Sequence, residues 1–248
     1  MRPEILVGET AKLGATFVDR LEHQAAAAIA ARGRFSLALP GGSAGRLFFP
    51  TLAAASVDWS RSAFFWSDER AVAVGDPASN YFLAKRLWLD PASVPSANVH
   101  RLPGELPDLG AAAEAAEREL LECVGDPPLL DLLWLGVGED GHVASLFPGH
   151  ALLDERRRFV AALTDSPKPP AGRLTLTLAA IGAARWVVFT VLGEAKAGAV
   201  AAALREPASR LPLALALAAA GRSWLLLDPA SARSLPESSR HLVRHLGL

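Results

Sequence analysis

Residues 129–150 read LLDLLWLGVGEDGHVASLFPGH, and this stretch decides how the rest of the chain is interpreted. A mostly apolar run, interrupted only by Asp131, ends in a glycine-rich turn that holds Asp140 and His142. A second apolar segment follows directly and leaves no room for a long loop. The pattern predicts a buried strand that runs into a tight turn.

Asp140 and His142 lie on this turn, and ligands of open α/β sheets bind just outside the carboxyl ends of the strands. A carboxylate beside an imidazole fixes its tautomer and stabilises its cationic form, so the pair can act as a general base near neutral pH. The alternative is that Asp140 caps a following helix and His142 is an incidental polar side chain. The strand-to-turn context favours the catalytic interpretation.

Composition limits the class of protein. The chain has 248 residues, of which 51% are hydrophobic, and this fits one large α/β domain or two small ones. No repeat, low-complexity tail or shift in composition marks a second domain, so we expect a single domain over residues 1–248. The net charge of −1 provides no overall field that would attract nucleic acid or an anionic membrane. A small anionic substrate would therefore need a local basic site.

Cysteine content and hydropathy suggest a compartment. Cys123 is the only cysteine, which excludes an intramolecular disulfide framework and a cysteine-based zinc site. The N-terminal segment has acidic residues where a signal peptide needs an uninterrupted apolar run. The longest apolar runs fall short of the ~18 residues that a membrane span requires. We expect a cytoplasmic protein without a metal or cofactor.

Strand and helix patterns alternate along the chain. Apolar residues recur at helical spacing from Leu13 to Ile29, and Gly33 is expected to close this helix. Further helices are expected at about residues 46–55, 81–89 and 111–124, from residue 193 onward, and near the C-terminus. Buried strands are expected at residues 35–39, 63–67, 159–163, 186–192 and 223–227, and a half-buried one at 173–178. This order predicts a three-layer α/β fold with a mostly parallel, twisted sheet and helices on both faces.

Other polar groups follow the predicted strands. Gly41, Gly42 and Ser43 form a strand–turn–helix junction of the kind that presents N–H groups to a phosphate, although an ordinary turn explains the spacing equally well. Asp68 and Arg70 follow the next strand, where charges form either a solvated rim or a site; the residues alone favour the rim. The carboxyl ends of these strands can bring both groups and the Asp140–His142 turn into one crevice.

Neither of two further basic residues indicates a binding site by itself. Arg173 precedes a strand, and Lys196 lies in the first turn of a helix, where the macrodipole slightly disfavours a cation. A cation at a helix N-terminus makes more sense if an anion sits beside it.

The motif GVGEDGHVASLFPG, at residues 136–149, resembles the signature of the 6-phosphogluconolactonases, which are relatives of the glucosamine-6-phosphate deaminases. The Gly-Gly-Ser turn, the Asp-Glu-Arg triplet with Ser79 and Asn80, and the segments around Arg173 and Lys196 resemble the same family in the same order. The resemblance therefore covers nearly the whole chain. It implies hydrolysis of 6-phospho-D-glucono-1,5-lactone in the oxidative pentose phosphate pathway.

The resemblance also implies roles for site residues. His142 would be the base, and Asp140 or Asp68 would orient it or position the water. The substrate phosphate would be held by Gly41, Gly42, Ser43, Arg70, Arg173 and Lys196. In one departure, Ala44 and Gly45 replace the family's Thr-Pro. We expect this change to remove a threonine hydroxyl contact and to loosen the turn.

Other functions remain open at this point. In the deaminases an acidic residue precedes the proline, whereas this chain has Phe147, so lactone hydrolysis is favoured. A sugar-phosphate-binding regulator would usually carry a DNA-binding segment or a basic face, which this chain lacks. A nucleotide-binding protein is disfavoured because no Walker sequence follows a strand. The expected partner is a small sugar-phosphate lactone, with no nucleic acid or membrane, and the expected assembly is a monomer or weak homo-oligomer.

Overall fold

A seven-stranded parallel sheet forms the centre of this computed structural model, which describes residues 3–127, 129–206 and 209–246. The described strands, in chain order, are β1 (Glu4–Val7), β2 (Phe35–Leu39), β3 (Ser62–Trp66), β4 (Asp68–Arg70), β5 (Leu132–Gly136), β6 (Val160–Leu163), β7 (Arg173–Leu176), β8 (Val187–Val191), β9 (Ser223–Leu227) and β10 (Val243–His245). The strand order across the large sheet is β10-β1-β9-β8-β5-β2-β3, and every pair in it is parallel.

Helices connect these parallel strands. In chain order they are α1 (Thr10–Arg32), α2 (Gly42–Leu52), α3 (Asn80–Ala84), α4 (Leu109–Val124), α5 (Leu178–Ala183), α6 (Ala197–Arg205), α7 (Pro212–Ala219) and α8 (Pro229–Ala232). The prediction for the first helix is confirmed: Leu13, Phe17 and Leu21 are buried at helical spacing, and Gly33 ends α1 with φ of 83°. None of the described helices is long and apolar enough to cross a membrane.

The central strands are covered on both faces. Every residue of β2, β3, β8 and β9 is buried, although successive side chains of a strand point to opposite faces. Aromatic rings fill the layer beside β5, where the Trp134 ring lies 4.4 Å from that of Phe17 and 5.6 Å from that of Phe49. The predicted α/β fold with a mostly parallel sheet is confirmed.

A second, antiparallel sheet was not predicted. Its strand order is β4-β7-β6, so the Asp-Glu-Arg triplet is itself a strand and not a solvated rim. Arg70 pairs with Arg173, and Asp68 pairs with Thr175. The expectation that residues 173–178 are half-buried is wrong for β7, which is buried at all four positions because it is the central strand of this sheet.

Three further features of the secondary structure differ from the prediction. Helix α2 begins at Gly42, four residues before the expected start, so Ser43 lies in its first turn. Strand β1 was not anticipated. The C-terminal segment contains a 3₁₀ turn at Glu237–Leu242 and then β10, where a helix was expected. Strands of three or four residues contain too few alternations for a period to be detected.

Candidate active site

A cleft of about 300 Å³ opens where β2, β3, β5 and β8 reach their carboxyl ends. It is lined by eight of the nine residues that the sequence singled out: Gly41, Gly42, Ser43, Asp68, Arg70, His142, Arg173 and Lys196. The ninth residue, Asp140, does not line the cleft, but it contacts the His142 ring. The topology thus brings residues from five separate segments together at one edge of the sheet.

The Asp140–His142 pair is hydrogen-bonded within the turn after β5. His142 Nδ1 lies 2.5 Å from Asp140 Oδ1, which also accepts a hydrogen bond from the His142 backbone N–H at 3.3 Å. Lys168 Nζ lies 3.4 Å from the same carboxylate oxygen. The alternative in which Asp140 caps a helix is wrong, because residues 141–150 form turns and short β-bridges.

Gly138 makes this arrangement possible. A Cβ atom at position 138 would lie 2.1 Å from both Nδ1 and Cε1 of His142, and 2.7 Å from Asp140 Oδ1. The turn is closed by two backbone hydrogen bonds, from Gly138 N–H to the His142 carbonyl and from Gly141 N–H to the Gly138 carbonyl. Gly141 has φ of 79°, a conformation that residues with a side chain rarely adopt.

The environment sets the protonation states of the pair. Burial lowers the pKa of the His142 imidazole, and the Lys168 charge lowers it further, which together outweigh the opposing effect of Asp140. Burial raises the pKa of the Asp140 carboxyl, but its hydrogen bond to His142 and the nearby positive charge outweigh this, and the net pKa is lowered. An ionised Asp140 accepts the Nδ1–H bond of a neutral imidazole. The lone pair is then on Nε2.

Asp68 is held by a different set of partners. Its carboxylate accepts hydrogen bonds from Ser145 Oγ at 2.8 Å and Asn80 Nδ2 at 3.2 Å, and lies 3.8 Å from Arg173 Nη1. Asp68 is buried and lines the cleft. Of the two aspartates that the sequence left open, Asp140 is the one that bonds to the imidazole.

Glu69 contributes to the support of the site. Its buried carboxylate accepts hydrogen bonds from Ser79 Oγ and from the backbone N–H groups of Arg70, Asn80 and Tyr81, at 2.7 to 2.9 Å. Burial raises the pKa of this carboxyl. The bonds join β4 to the start of α3 and so position Asn80, the partner of Asp68.

The N-terminus of α2 forms the other end of the cleft. Gly41 precedes the helix in an extended conformation, and no side chain caps the free N–H groups of the first turn. Lys196 Nζ donates a hydrogen bond to Ser43 Oγ at 3.2 Å. A Cβ at position 41 would lie 1.8 Å from Asn80 Oδ1, so glycine allows this turn to approach the start of α3 closely.

The replacement of Thr-Pro by Ala44 and Gly45 falls inside helix α2. Both residues lie within the first turn of α2, and Ala44 lines the cleft. A Cβ at position 45 would lie 2.7 Å from the Phe49 ring, so the aromatic ring occupies the space that a side chain at position 45 would need. The expectation of a looser turn stays a prediction.

Basic side chains dominate the charge of the cleft. Four basic side chains line it: Arg70, Lys168, Arg173 and Lys196. The carboxylates that line it are those of Asp68 and Glu139. Burial lowers the pKa of Lys196 and that of Arg173. Arg70 Nη1 donates to the Ala78 carbonyl at 2.7 Å, whereas its buried Nε has no hydrogen-bond partner among the described residues. The local basic site that an anionic substrate requires is present despite the net charge of −1.

Several residues that line or support the cleft were given no role in the sequence analysis. Lys168 lies in the loop DSPKPPAG at residues 165–172, where its position between prolines was the available signal. Ser145 and Asn80 support Asp68 from distant positions in the chain, and their contacts depend on tertiary structure. Within the ranges that the structure describes, no group of three or more His, Cys, Asp or Glu side chains is placed to hold a metal ion.

Phe147 lies behind the Asp140–His142 pair. It is buried, its ring centroid is 4.8 Å from that of His142, and the Arg173 guanidinium carbon is 5.8 Å from the ring. An aromatic side chain therefore packs against the imidazole at the position where the deaminases have an acidic residue.

Comparisons with known proteins match almost the whole chain. Residues 8–225 match the family model described as glucosamine-6-phosphate isomerases/6-phosphogluconolactonase. A 6-phosphogluconolactonase from Rattus norvegicus is 39% identical over 231 residues, which are 90% of each chain. The Mycobacterium tuberculosis 6-phosphogluconolactonase is 41% identical over 228 residues, 88% of this chain and 92% of the relative. The solved 6-phosphogluconolactonase structure from Trypanosoma brucei has a TM-score of 0.82 at 27% identity, covering 95% of this chain and 99% of that one.

Proposed function

The chain belongs to the glucosamine-6-phosphate isomerase/6-phosphogluconolactonase family, and we propose that its cleft hydrolyses 6-phospho-D-glucono-1,5-lactone with His142 as the general base. The product is 6-phosphogluconate, formed in the oxidative pentose phosphate pathway. The observation that carries this proposal is the Asp140–His142 pair at the edge of a basic cleft.

The reaction needs one proton shuttle. The lactone carbonyl is an activated electrophile, so a water molecule attacks C1 while His142 Nε2 removes its proton. The tetrahedral intermediate then collapses, the bond from C1 to the ring oxygen breaks, and the imidazolium returns its proton to that oxygen. One imidazole serves both steps. Neither a metal ion nor a covalent nucleophile is required.

Two aspartates support this imidazole differently. Asp140 bonds to Nδ1, which selects the tautomer with a free lone pair on Nε2 and stabilises the imidazolium as it forms. Asp68 lines the cleft and is fixed by Ser145 and Asn80, so its carboxylate is placed to accept a hydrogen bond from the water or from a sugar hydroxyl.

The phosphate binds at the opposite end of the cleft. Free N–H groups in the first turn of α2, together with the helix dipole, favour an anion beside Gly42 and Ser43. Lys196 and Arg173 add positive charge that is partly desolvated, and an anion would offset the loss of hydration. Phosphate binding orients the lactone carbonyl toward His142, which can lower the barrier by several kcal/mol.

The alternative within the family is deamination of glucosamine 6-phosphate. That reaction moves a proton between adjacent carbons and releases ammonia, so it needs a further acid–base group near the histidine. Phe147 occupies this position and cannot transfer a proton. Lactone hydrolysis is the function that the geometry supports.

The direct test is the rate of 6-phosphogluconate formation with and without the protein, because the lactone also opens spontaneously. We expect a rate that rises in proportion to protein concentration, and a much lower kcat/KM for unphosphorylated glucono-1,5-lactone. A rate that never exceeds the spontaneous one would refute the proposal.

A further inference from the structure

A second cavity, of about 540 Å³, lies at the opposite edge of the parallel sheet from the active cleft. Its walls are the C-terminal half of α1 and the residues that immediately precede β5, β8 and β9. The active cleft lies beyond the other ends of strands of this sheet, so the two cavities are a strand length apart, about 16 Å. They share no lining residue.

Two arginines in this cavity share a single carboxylate oxygen. Arg32 Nη2 lies 2.5 Å from Asp131 Oδ1, and Arg185 Nε lies 3.4 Å from the same atom. The other oxygen of the buried Asp131 accepts hydrogen bonds from the backbone N–H and the Oγ of Ser36, at 2.9 and 3.0 Å. Asp131 therefore balances only one of the two positive charges.

A third arginine adds to the excess of positive charge. Arg222 lies over the Trp186 ring at 5.5 Å, and among the residues that the structure describes it has no carboxylate within ion-pair distance. The Trp186 indole is in turn held against Trp224, with ring centroids 4.7 Å apart. The cavity thus has two uncompensated positive charges beside an indole that is fixed by packing.

The remaining wall is mostly apolar. It is formed on one face of α1 by Gln24 and by three alanines: Ala27, Ala28 and Ala31. The cavity is larger than an inorganic anion needs, and its volume falls within the range of small-molecule sites, about 300–1,000 Å³. Its ligand would therefore combine a multiply charged anionic group with a flat or apolar body.

We propose that this cavity binds a nucleoside phosphate. The guanidinium groups of Arg185 and Arg222 match the geometry of phosphate oxygens and take the anionic end. The base and ribose lie between the alanine face of α1 and Trp186. The site is distinct from the active cleft, and its occupancy does not depend on lactone hydrolysis.

The test is calorimetric titration of the full chain with ADP in the presence of saturating 6-phosphogluconate, which keeps the active cleft occupied. We expect binding that Arg222→Ala weakens about tenfold or more, because a charge-assisted contact is lost. Arg185→Ala is a second variant with the same expected direction. Arg86→Ala is the matched control, since Arg86 also lies over an aromatic ring, that of Phe82 at 5.6 Å, but outside this cavity.

Two probes separate the parts of the ligand. We expect adenosine, which lacks the charge, and inorganic pyrophosphate, which lacks the body, each to bind more weakly than ADP. Lactone hydrolysis should be unchanged in Arg222→Ala. The proposal is overturned if ADP does not bind, or if Arg222→Ala and Arg86→Ala bind ADP equally well. It is also overturned if adenosine or pyrophosphate binds as tightly as ADP. Loss of ADP binding in Lys196→Ala would place the nucleotide in the active cleft and would overturn it too.

Discussion

At the scale of single residues, Gly138 decides where the imidazole of His142 lies. The ring and the Asp140 carboxylate pack directly over the glycine Cα, within the space that a Cβ would fill. A side chain at this position must push the ring out of the turn, and a displacement of about 1 Å in a catalytic group can reduce turnover by about 10²-fold. The position of the His142 ring therefore depends on a glycine, which has no side chain that could take part in the reaction.

We expect Gly138→Ala to lower kcat strongly while the protein stays folded. The matched control is Gly198→Ala, because Gly198 lies in α6 with open space around its Cα and helical backbone. This control should keep full activity and be equally or more stable, since alanine favours the helix. Steady-state kinetics and thermal unfolding measure both effects. Equal activity of the two variants would show that the ring position is not constrained by Gly138.

We expect the protonation of His142 to determine how kcat/KM for lactone hydrolysis depends on pH. Burial lowers its pKa below the usual 6.5, so the neutral base is present at and above neutral pH and is lost as pH falls through the lowered pKa. Asp140→Asn removes the charge that favours the imidazolium, so the pKa falls further. We expect the acid limb of kcat/KM to move to lower pH in Asp140→Asn, with a lower plateau because the tautomer is no longer fixed.

The measurement is kcat/KM against pH for both proteins, after subtraction of spontaneous hydrolysis. Titration of the substrate phosphate affects the two profiles equally, so their difference reports the enzyme. An acid limb that stays in place, or that moves to higher pH in Asp140→Asn, would contradict the assignment of Asp140 as the partner of the base.

At the scale of elements, the start of α2 and the short 3₁₀ turn at Glu194–Lys196 meet across the cleft, where Lys196 donates to Ser43. We expect Lys196→Ala to lower kcat/KM for the phosphorylated lactone about tenfold or more, and to change use of unphosphorylated glucono-1,5-lactone far less. Arg173→Ala should show the same preference, with an added loss of stability because Asp68 loses its buried counter-charge.

The control for these variants is Lys85→Ala. Lys85 forms an exposed ion pair with Asp90 outside the cleft, so its loss should leave both substrates unaffected. Equal losses on the two lactones in Lys196→Ala would show that this lysine serves the fold and not phosphate binding.

The strands and turns of the fold show which features the sequence could predict. The pairing of Asp140 with His142 was predictable because the two residues are two positions apart on one turn. Strands β2, β5, β8 and β9 were predictable because they are mostly apolar runs. The contact of Lys168 with Asp140 and the small β4-β7-β6 sheet join segments that are distant in sequence, so no local pattern contains them.

At the scale of the whole molecule, the fold is shared by enzymes with two chemistries, and the residues around the histidine distinguish them. We expect no detectable ammonia release from glucosamine 6-phosphate. We also expect that Phe147→Glu alone does not create this activity, because one carboxylate in a space packed for an aromatic ring does not supply the geometry of proton transfer. Ammonia release by the wild type at a rate comparable with lactone hydrolysis would overturn the assignment.

The organisation of the chain as one domain over residues 1–248 stays a prediction, and residues 1, 2, 128, 207, 208, 247 and 248 lie outside the described residues. The site itself draws on both halves of the chain. Ser43 and Asp68 come from the first half, and Arg173 and Lys196 come from the second. We therefore expect catalysis to depend on the whole sheet being formed.

The central claim is that His142 is the general base of lactone hydrolysis. The most direct measurement is the initial rate of 6-phosphogluconate formation by wild type and His142→Ala at equal concentration, with circular dichroism and thermal unfolding to establish that the variant is folded. We predict that His142→Ala loses activity by about 10²-fold or more, as expected for removal of a general base. A folded His142→Ala protein with near-normal turnover would contradict the claim.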